Sequence, residues 1–156
     1  MTALIDWVLL AYRMPREPST ARVTVWRKLR RLGVVQLVDG LVALPADAQT
    51  REQLDWIADE VLEAGGEATV WVGRPGSRAQ ERQLASRMAE AVAAEYLAVI
   101  DQAHDAVSEG VGARTVSRLR RELQRIGQRD FFPPAERELA RQAVARLSAA
   151  MDAVAR

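Results

Sequence analysis

Seven basic residues and one acidic residue stand between Arg13 and Arg31, a local net charge of +6 in a chain whose formal total is +1. On a helix through this stretch, Val25, Trp26, Leu29 and Leu32 face inward. Thr24, Arg27, Lys28 and Arg31 then face outward and Arg30 lies at the margin, with Arg22 also on the helix and Arg13 and Arg16 on the approach. Such a face suits contact with nucleic-acid phosphates. A second stripe, Arg114, Arg118, Arg121 and Arg125, is spaced 4, 3 and 4, opposite Val116, Leu119, Leu123 and Ile126. One footprint could use both stripes. The competing reading is internal: Glu52, Asp55, Asp59, Glu60 and Glu63 lie on the next helix and can pair with the first stripe, while the second can be a solvated face.

Other chemistry finds less support. There is no Cys, which excludes disulfides, thiolate ligands and a thiol nucleophile, and His104 is the single histidine. Asp101, His104 and Asp105 could share a helical face, but a hard-metal site wants more converging oxygens. Asp39 before Gly40 is what a tight turn demands. Gly110-Val111-Gly112 lies between helices rather than after a strand, so it is no phosphate loop. No catalytic residue, metal ligand or cofactor is expected, and the chain is read as a non-enzyme. Arginine (21 residues against the single Lys28) reflects genome composition, so Arg-richness alone argues nothing.

The elements that must position these residues follow from periodicity. With 156 residues, 49% of them hydrophobic, the chain fits one domain or a small domain with an appendage. It divides near Arg74-Pro75-Gly76-Ser77. Before the break, strands are expected at Leu4–Tyr12, Val34–Val38, Leu41–Leu44 and Glu67–Val72. One helix, capped by Ser19, covers Thr20–Leu32 and stops at Gly33; a second runs from an Asp47 cap to Gly65-Gly66. The order βαββαβ is the split arrangement of ferredoxin-like α+β folds, with both helices on one face. Trp7, Trp26, Trp56 and Trp71 are assigned to its core. After the break, Leu84, Met88, Val92, Tyr96, Val99, Ala103 and Val107 mark a helix of about 28 residues. Val116 to Ile126 mark another, and Leu139, Ala143, Leu147, Met151 and Val154 a third. The expected division is residues 1–74 as the ferredoxin-like domain and 78–156 as a helical extension packed on it.

The stretch WVLLAYRMPREPSTARVTVWRKLRRLGVVQLVDGLVALP, with QLDWIADEVLEAGGEATVW and the later Arg129-Asp130-Phe131-Phe132-Pro133-Pro134, resembles the amino-terminal domain of ChrB-type chromate-resistance proteins. The resemblance implies a bacterial, chromate-responsive transcriptional regulator whose basic amino-terminal half binds DNA. Family members commonly continue into a chromate-linked carboxy-terminal domain, whereas this chain stops at Arg156. The sensing half is then a separate chain of that carboxy-terminal type, or this chain is a stand-alone paralogue. A more distant similarity is to PaaX-type repressors and to small CRISPR-associated nucleases of the same split fold. Those nucleases place a catalytic Asp after the first strand's Tyr. Here Tyr12 is followed by Arg13, which argues against nuclease activity.

DNA is thus the expected partner. The alternative is a non-catalytic dimerisation or partner-docking module, a homodimer among its forms. No membrane partner is expected: the run Ala3 to Tyr12 is interrupted by Asp6 and too short to span a bilayer, and no basic residue precedes it, so a cytoplasmic location is expected.

Overall fold

The computed structural model describes residues 4–110 and 112–156. It forms two compact units, Met1–Ala85 and Ser86–Arg156. In the first, β1 (Trp7–Arg13) leads to α1 (Ser19–Leu32), the hairpin β2 (Val35–Val38) and β3 (Leu41–Pro45), α2 (Ala48–Glu63) and β4 (Glu67–Gly73). The sheet is antiparallel throughout, in the order β2-β3-β1-β4. That is the ferredoxin-like arrangement the element order predicts.

Strand β1 is central, and its register sets the core. Val8 lies opposite Leu44 and Val72, and Leu10 opposite Val42 and Val70. Val8, Leu10, Val42 and Leu44 are fully buried. Val25 and Leu29 of α1, with Leu54, Ile57 and Val61 of α2, are the helices' large buried side chains. Each large side chain so buried contributes about 1.5–3 kcal/mol.

Local chemistry explains the element ends. Gly33 closes α1 at φ 84, a left-handed conformation a Cβ disfavours, and its N–H donates to the carbonyl of Arg30. Asp47 and Thr50 form a reciprocal capping box: the Thr50 N–H donates to Asp47 Oδ1 at 2.7 Å, and the Asp47 N–H to Thr50 Oγ1 at 2.9 Å. Two expectations need correction. Ser19 is not a cap: extended Pro18 occupies that position, with no side-chain hydrogen bond, and Ser19 is the first helical residue. Strand β1 begins at Trp7, not Leu4, because Asp6 stays exposed and pairs with Arg74 at 2.7 Å. Before it, the Ile5 N–H donates to Glu81 Oε1, which also accepts from the buried Trp7 indole.

Helix α3 (Arg78–Glu109) starts in the first unit and continues in the second, followed by α4 (Ala113–Gln128) and α5 (Glu136–Val154). The second unit's core takes Val92, Tyr96 and Val99 from α3, Val116, Leu119 and Ile126 from α4, and Val144 and Leu147 from α5. Val107, Leu139 and Val154, all expected inside, are exposed. Ala106 and Ala140 are buried instead, and Ala143 is buried as expected. Small residues let helices approach closely, so direction around the helix outweighs side-chain size. No helix among the described residues is long and apolar enough to cross a membrane.

One polar contact stands inside this helical core. The Tyr96 hydroxyl donates to Asp130 Oδ2 at 2.7 Å, and Asp130 Oδ1 is buried without a partner among the described residues. Burial, then the bond to Asp130 and its negative charge, push the Tyr96 pKa up to about 12. Beside it Arg129 clasps Glu95, with Nε 3.0 Å and Nη2 2.9 Å from Oε2. The native state therefore favours neutral Tyr96 more than the unfolded chain does. That stabilisation is complete below pH 10 and disappears as pH rises from about 10 to 12. Tyr96→Phe is expected to lower stability at pH 7 by about 1–3 kcal/mol, because it leaves the Asp130 carboxylate wholly unpaired. It should also flatten the loss between pH 10 and 12, as read from urea unfolding across that range.

Candidate nucleic-acid interface

Helix α1 presents its cations to solvent. Arg22, Arg27, Arg30 and Arg31 are exposed, and none of their side chains has an ion pair or hydrogen bond among the described residues. The acidic face of α2 neutralises a single member: Lys28 Nζ lies 2.6 Å from Glu60 Oε1, both half-buried. Glu52, Asp55, Asp59 and Glu63 make no ion pair with α1 among the described residues. Arg27 and Arg31 are neighbours at i,i+4, where like charges cost about 0.2–0.5 kcal/mol. Their position in the last turns offsets part of this, because Arg30 and Arg31 face the helix's negative end. On the approach, Arg16 is exposed and unpaired among the described residues, and Arg13 makes a loose 3.8 Å contact with Glu67.

The other stripe lies on α4, in the second unit. Arg114, Arg118, Arg121 and Arg125 are all exposed. Arg118 donates to Gln102 Oε1 at 2.8 Å and Arg125 to Glu122 Oε2 at 2.6 Å. Arg114 and Arg121 have no partner among the described residues and share a shallow surface with Thr115 and Ser117.

The tryptophans correct the sequence expectation. Trp7 alone is core, at 2% exposure. Trp56 on α2 is 59% exposed and Trp71 on β4 is 62% exposed, its indole donating to Thr69 Oγ1 at 2.9 Å. Periodicity marks which residues can be apolar together; it does not say that an edge strand and the rim of α2 lack a covering layer. Trp26 is half-buried and lines a surface cavity of about 390 Å³. Tyr12, Arg22, Gln36, Asp39 and Gly40 also form its wall, with Met14 and Val23 at the apolar side. The sequence pointed to Asp39-Gly40 only as a turn. No spacing in the sequence brings Trp26 and that turn together, because the cavity is assembled from separate segments.

The carboxylates are otherwise engaged or dispersed. Asp6 pairs with Arg74, and Asp39 Oδ1 accepts from Gln36 Nε2 at 3.3 Å. Asp101, His104 and Asp105 are exposed along α3, and the described residues contain no cluster of three His, Cys, Asp or Glu that could hold a metal ion.

A split βαββαβ sheet whose first helix is basic and largely unpaired, followed by a helical unit, is the class of protein these features define. The family model described as Protein ChrB, N-terminal, matches residues 22–109, more than half of the chain, and the chain belongs to that family. It is 30% identical over 133 residues to the protein named Protein ChrB from Cupriavidus metallidurans. That alignment covers 81% of this chain and 40% of the relative. No solved structure matches the chain at a significant level. The family match begins at Arg22 within α1, takes in that helix's cations and ends before the α4 stripe.

The exposures give a direct expectation. Replacing Trp56 and Trp71 together by Ser should change stability by no more than about 0.5 kcal/mol per site. Trp7→Ala should cost about 3–5 kcal/mol. Equal losses at all three positions in thermal melts would return the exposed pair to the core.

Proposed function

We propose that this chain is a DNA-binding regulatory protein of chromate resistance, contacting DNA phosphates through α1. The observation that carries this reading is the set of exposed α1 cations without internal partners, Arg22, Arg27, Arg30 and Arg31, in a chain of net charge +1. A protein so nearly neutral holds a polyanion only where its charge is segregated. Membership of the ChrB amino-terminal family supports the regulatory context. A chromate-sensing chain of the ChrB carboxy-terminal type is the protein partner this reading names; the chain spans 40% of the length of the relative it matches. The reading includes no catalysis. The position after Tyr12 is basic Arg13, and Asp6 and Asp39 already serve Arg74 and Gln36.

A second reading, a dimerisation or docking module, is favoured by Trp71 and Val72, both exposed on edge strand β4.

Fluorescence anisotropy with duplex DNA across a salt series tests the choice. On duplex DNA the slope of log K against log salt is about −0.9 per phosphate contact. Arg27→Ala with Arg31→Ala should make it shallower by about two units and leave the melting curve unchanged. Glu60→Gln, which frees Lys28, should steepen it by about one. Failure to bind any duplex at low salt, or a slope indifferent to these changes, would leave the docking reading. The same samples with magnesium or manganese should leave DNA and RNA intact; cleavage lost on replacing Asp6 or Asp39 would overturn the non-catalytic assignment.

A further inference from the structure

The cavity beside the β2–β3 turn is not needed to grip a duplex backbone, and its chemistry is unlike that of the arginine rows. Most of its wall is apolar and aromatic, with Trp26 and Tyr12 prominent, and its polar groups are Arg22, Gln36 and Asp39. Its volume, about 390 Å³, lies in the range of small-molecule sites. The turn at its edge is fixed in place. The Tyr12 N–H donates to the Gly40 carbonyl at 2.8 Å, and a Cβ on Gly40 would fall 2.6 Å from the Tyr12 carbonyl oxygen. Asp39 is held on one side by Gln36, and burial together with the Asp39 charge raises the Tyr12 pKa. Tyr12 therefore stays a neutral phenol beside a carboxylate. Along α1, Arg22, Trp26 and Arg30 fall at i, i+4 and i+8, so a cation stands about 6 Å along the axis on either side of the indole. Neither arginine has an acidic partner among the described residues.

An aromatic platform flanked by unpaired cations, with a carboxylate at its edge, matches one unit of a nucleic-acid strand. Bases stack on aromatic side chains whatever their identity, and their exposed edges are read by hydrogen bonds. A carboxylate only accepts hydrogen bonds, so it selects an edge rich in N–H groups. Guanine offers adjacent N1–H and N2–H donors; thymine offers one N–H between two carbonyls, which the carboxylate repels. We propose that this cavity takes a single unstacked base, guanine in preference to thymine. Trp26 is its platform, Asp39 accepts from its N–H edge, and Arg22 and Arg30 hold the neighbouring phosphates. The proposal deepens the DNA-binding reading and rests on it for the source of the base.

The test uses the full chain and two labelled ten-nucleotide single strands, all thymine or with one central guanine, followed by anisotropy at low salt. The guanine strand should bind at least about fivefold more tightly, the lower end of what one well-made base-edge contact discriminates. Asp39→Asn should bring that ratio close to one, because the guanine strand loses its acceptor while the all-thymine strand, relieved of the carboxylate's repulsion, binds no more weakly than before; the substitution keeps a sequence that favours the same turn. Trp26→Ala should weaken both strands, but it also removes packing, so Asp39→Asn decides the matter. Free deoxyguanosine monophosphate that displaces the guanine strand, with the same Asp39 dependence, supports the cavity and adds the free nucleotide as an occupant. Failure to displace it supports the strand as the sole source. Equal binding of the two strands, or a preference that survives Asp39→Asn, overturns the proposal. If duplex binding is absent yet the guanine preference holds, the regulatory reading falls and the cavity stands. If duplex binding shows its arginine-dependent salt slope while the strands do not differ, the cavity falls alone. No binding of any nucleic acid overturns both.

Discussion

The close approach of the Asp39-Gly40 turn to Tyr12 is the contact on which the first unit depends. Strand β1 must pair on both sides, and its pairing with β3 ends at Ala11 opposite Leu41. Beyond that point the Tyr12 N–H bonds to Gly40 across a gap that admits no side chain. A one-residue slip would carry Val8 and Leu10 to the opposite face of the sheet and empty the core. The turn therefore fixes register, and register places Val42 and Leu44 beside Leu10 and Val8. The same contact brings Asp39 against Tyr12 and in front of α1, so the core and the surface cavity share one anchor.

Charge is organised on a different principle. An almost neutral chain can pair its ions internally or keep them apart, and the two helices of the sheet domain do both. Lys28 and Glu60 meet at 2.6 Å, half-buried, which tethers the middle of α1 to the last turn of α2. The remaining α1 arginines lie on either side of that tether and stay in water. Exposed single ion pairs contribute little to stability, so the fold loses almost nothing by leaving these cations unmatched. Repulsion between them is tolerated because the helix's buried face, Val25 and Leu29, holds it in place.

How much of this was legible depended on the kind of signal. The sheet order followed from alternating periods and turn residues, because an Asp-Gly pair and a glycine after an apolar helix have few backbone alternatives. The Asp47 cap was equally local. Burial was harder. Trp56 and Trp71 have core chemistry and surface positions, since β4 is an edge and nothing in its own sequence says so. On α3 and α5, alanines rather than Val107 and Leu139 face inward, a choice set by neighbouring helices. For the basic face, residue spacing identified which arginines turn outward, but the share neutralised by α2 is a matter of side-chain reach across space. The cavity at Trp26 was invisible for a related reason: it is assembled from β1, α1 and the hairpin, three segments whose juxtaposition only the folded chain creates.

The edge position of β4 also bears on how the chain survives before it is folded and when it is abundant. A seven-residue strand that shows Trp71 and Val72 along an uncovered margin is a template for other extended chains. Charged pairs bracket it: Arg13 with Glu67 at one end, and Asp6 with Arg74 at the other. Such flanking charges act as gatekeepers, penalising stacks of identical strands that would bring like charges into line. Although each pair contributes little to the folded state, together they guard against aggregation while the sheet is still incomplete.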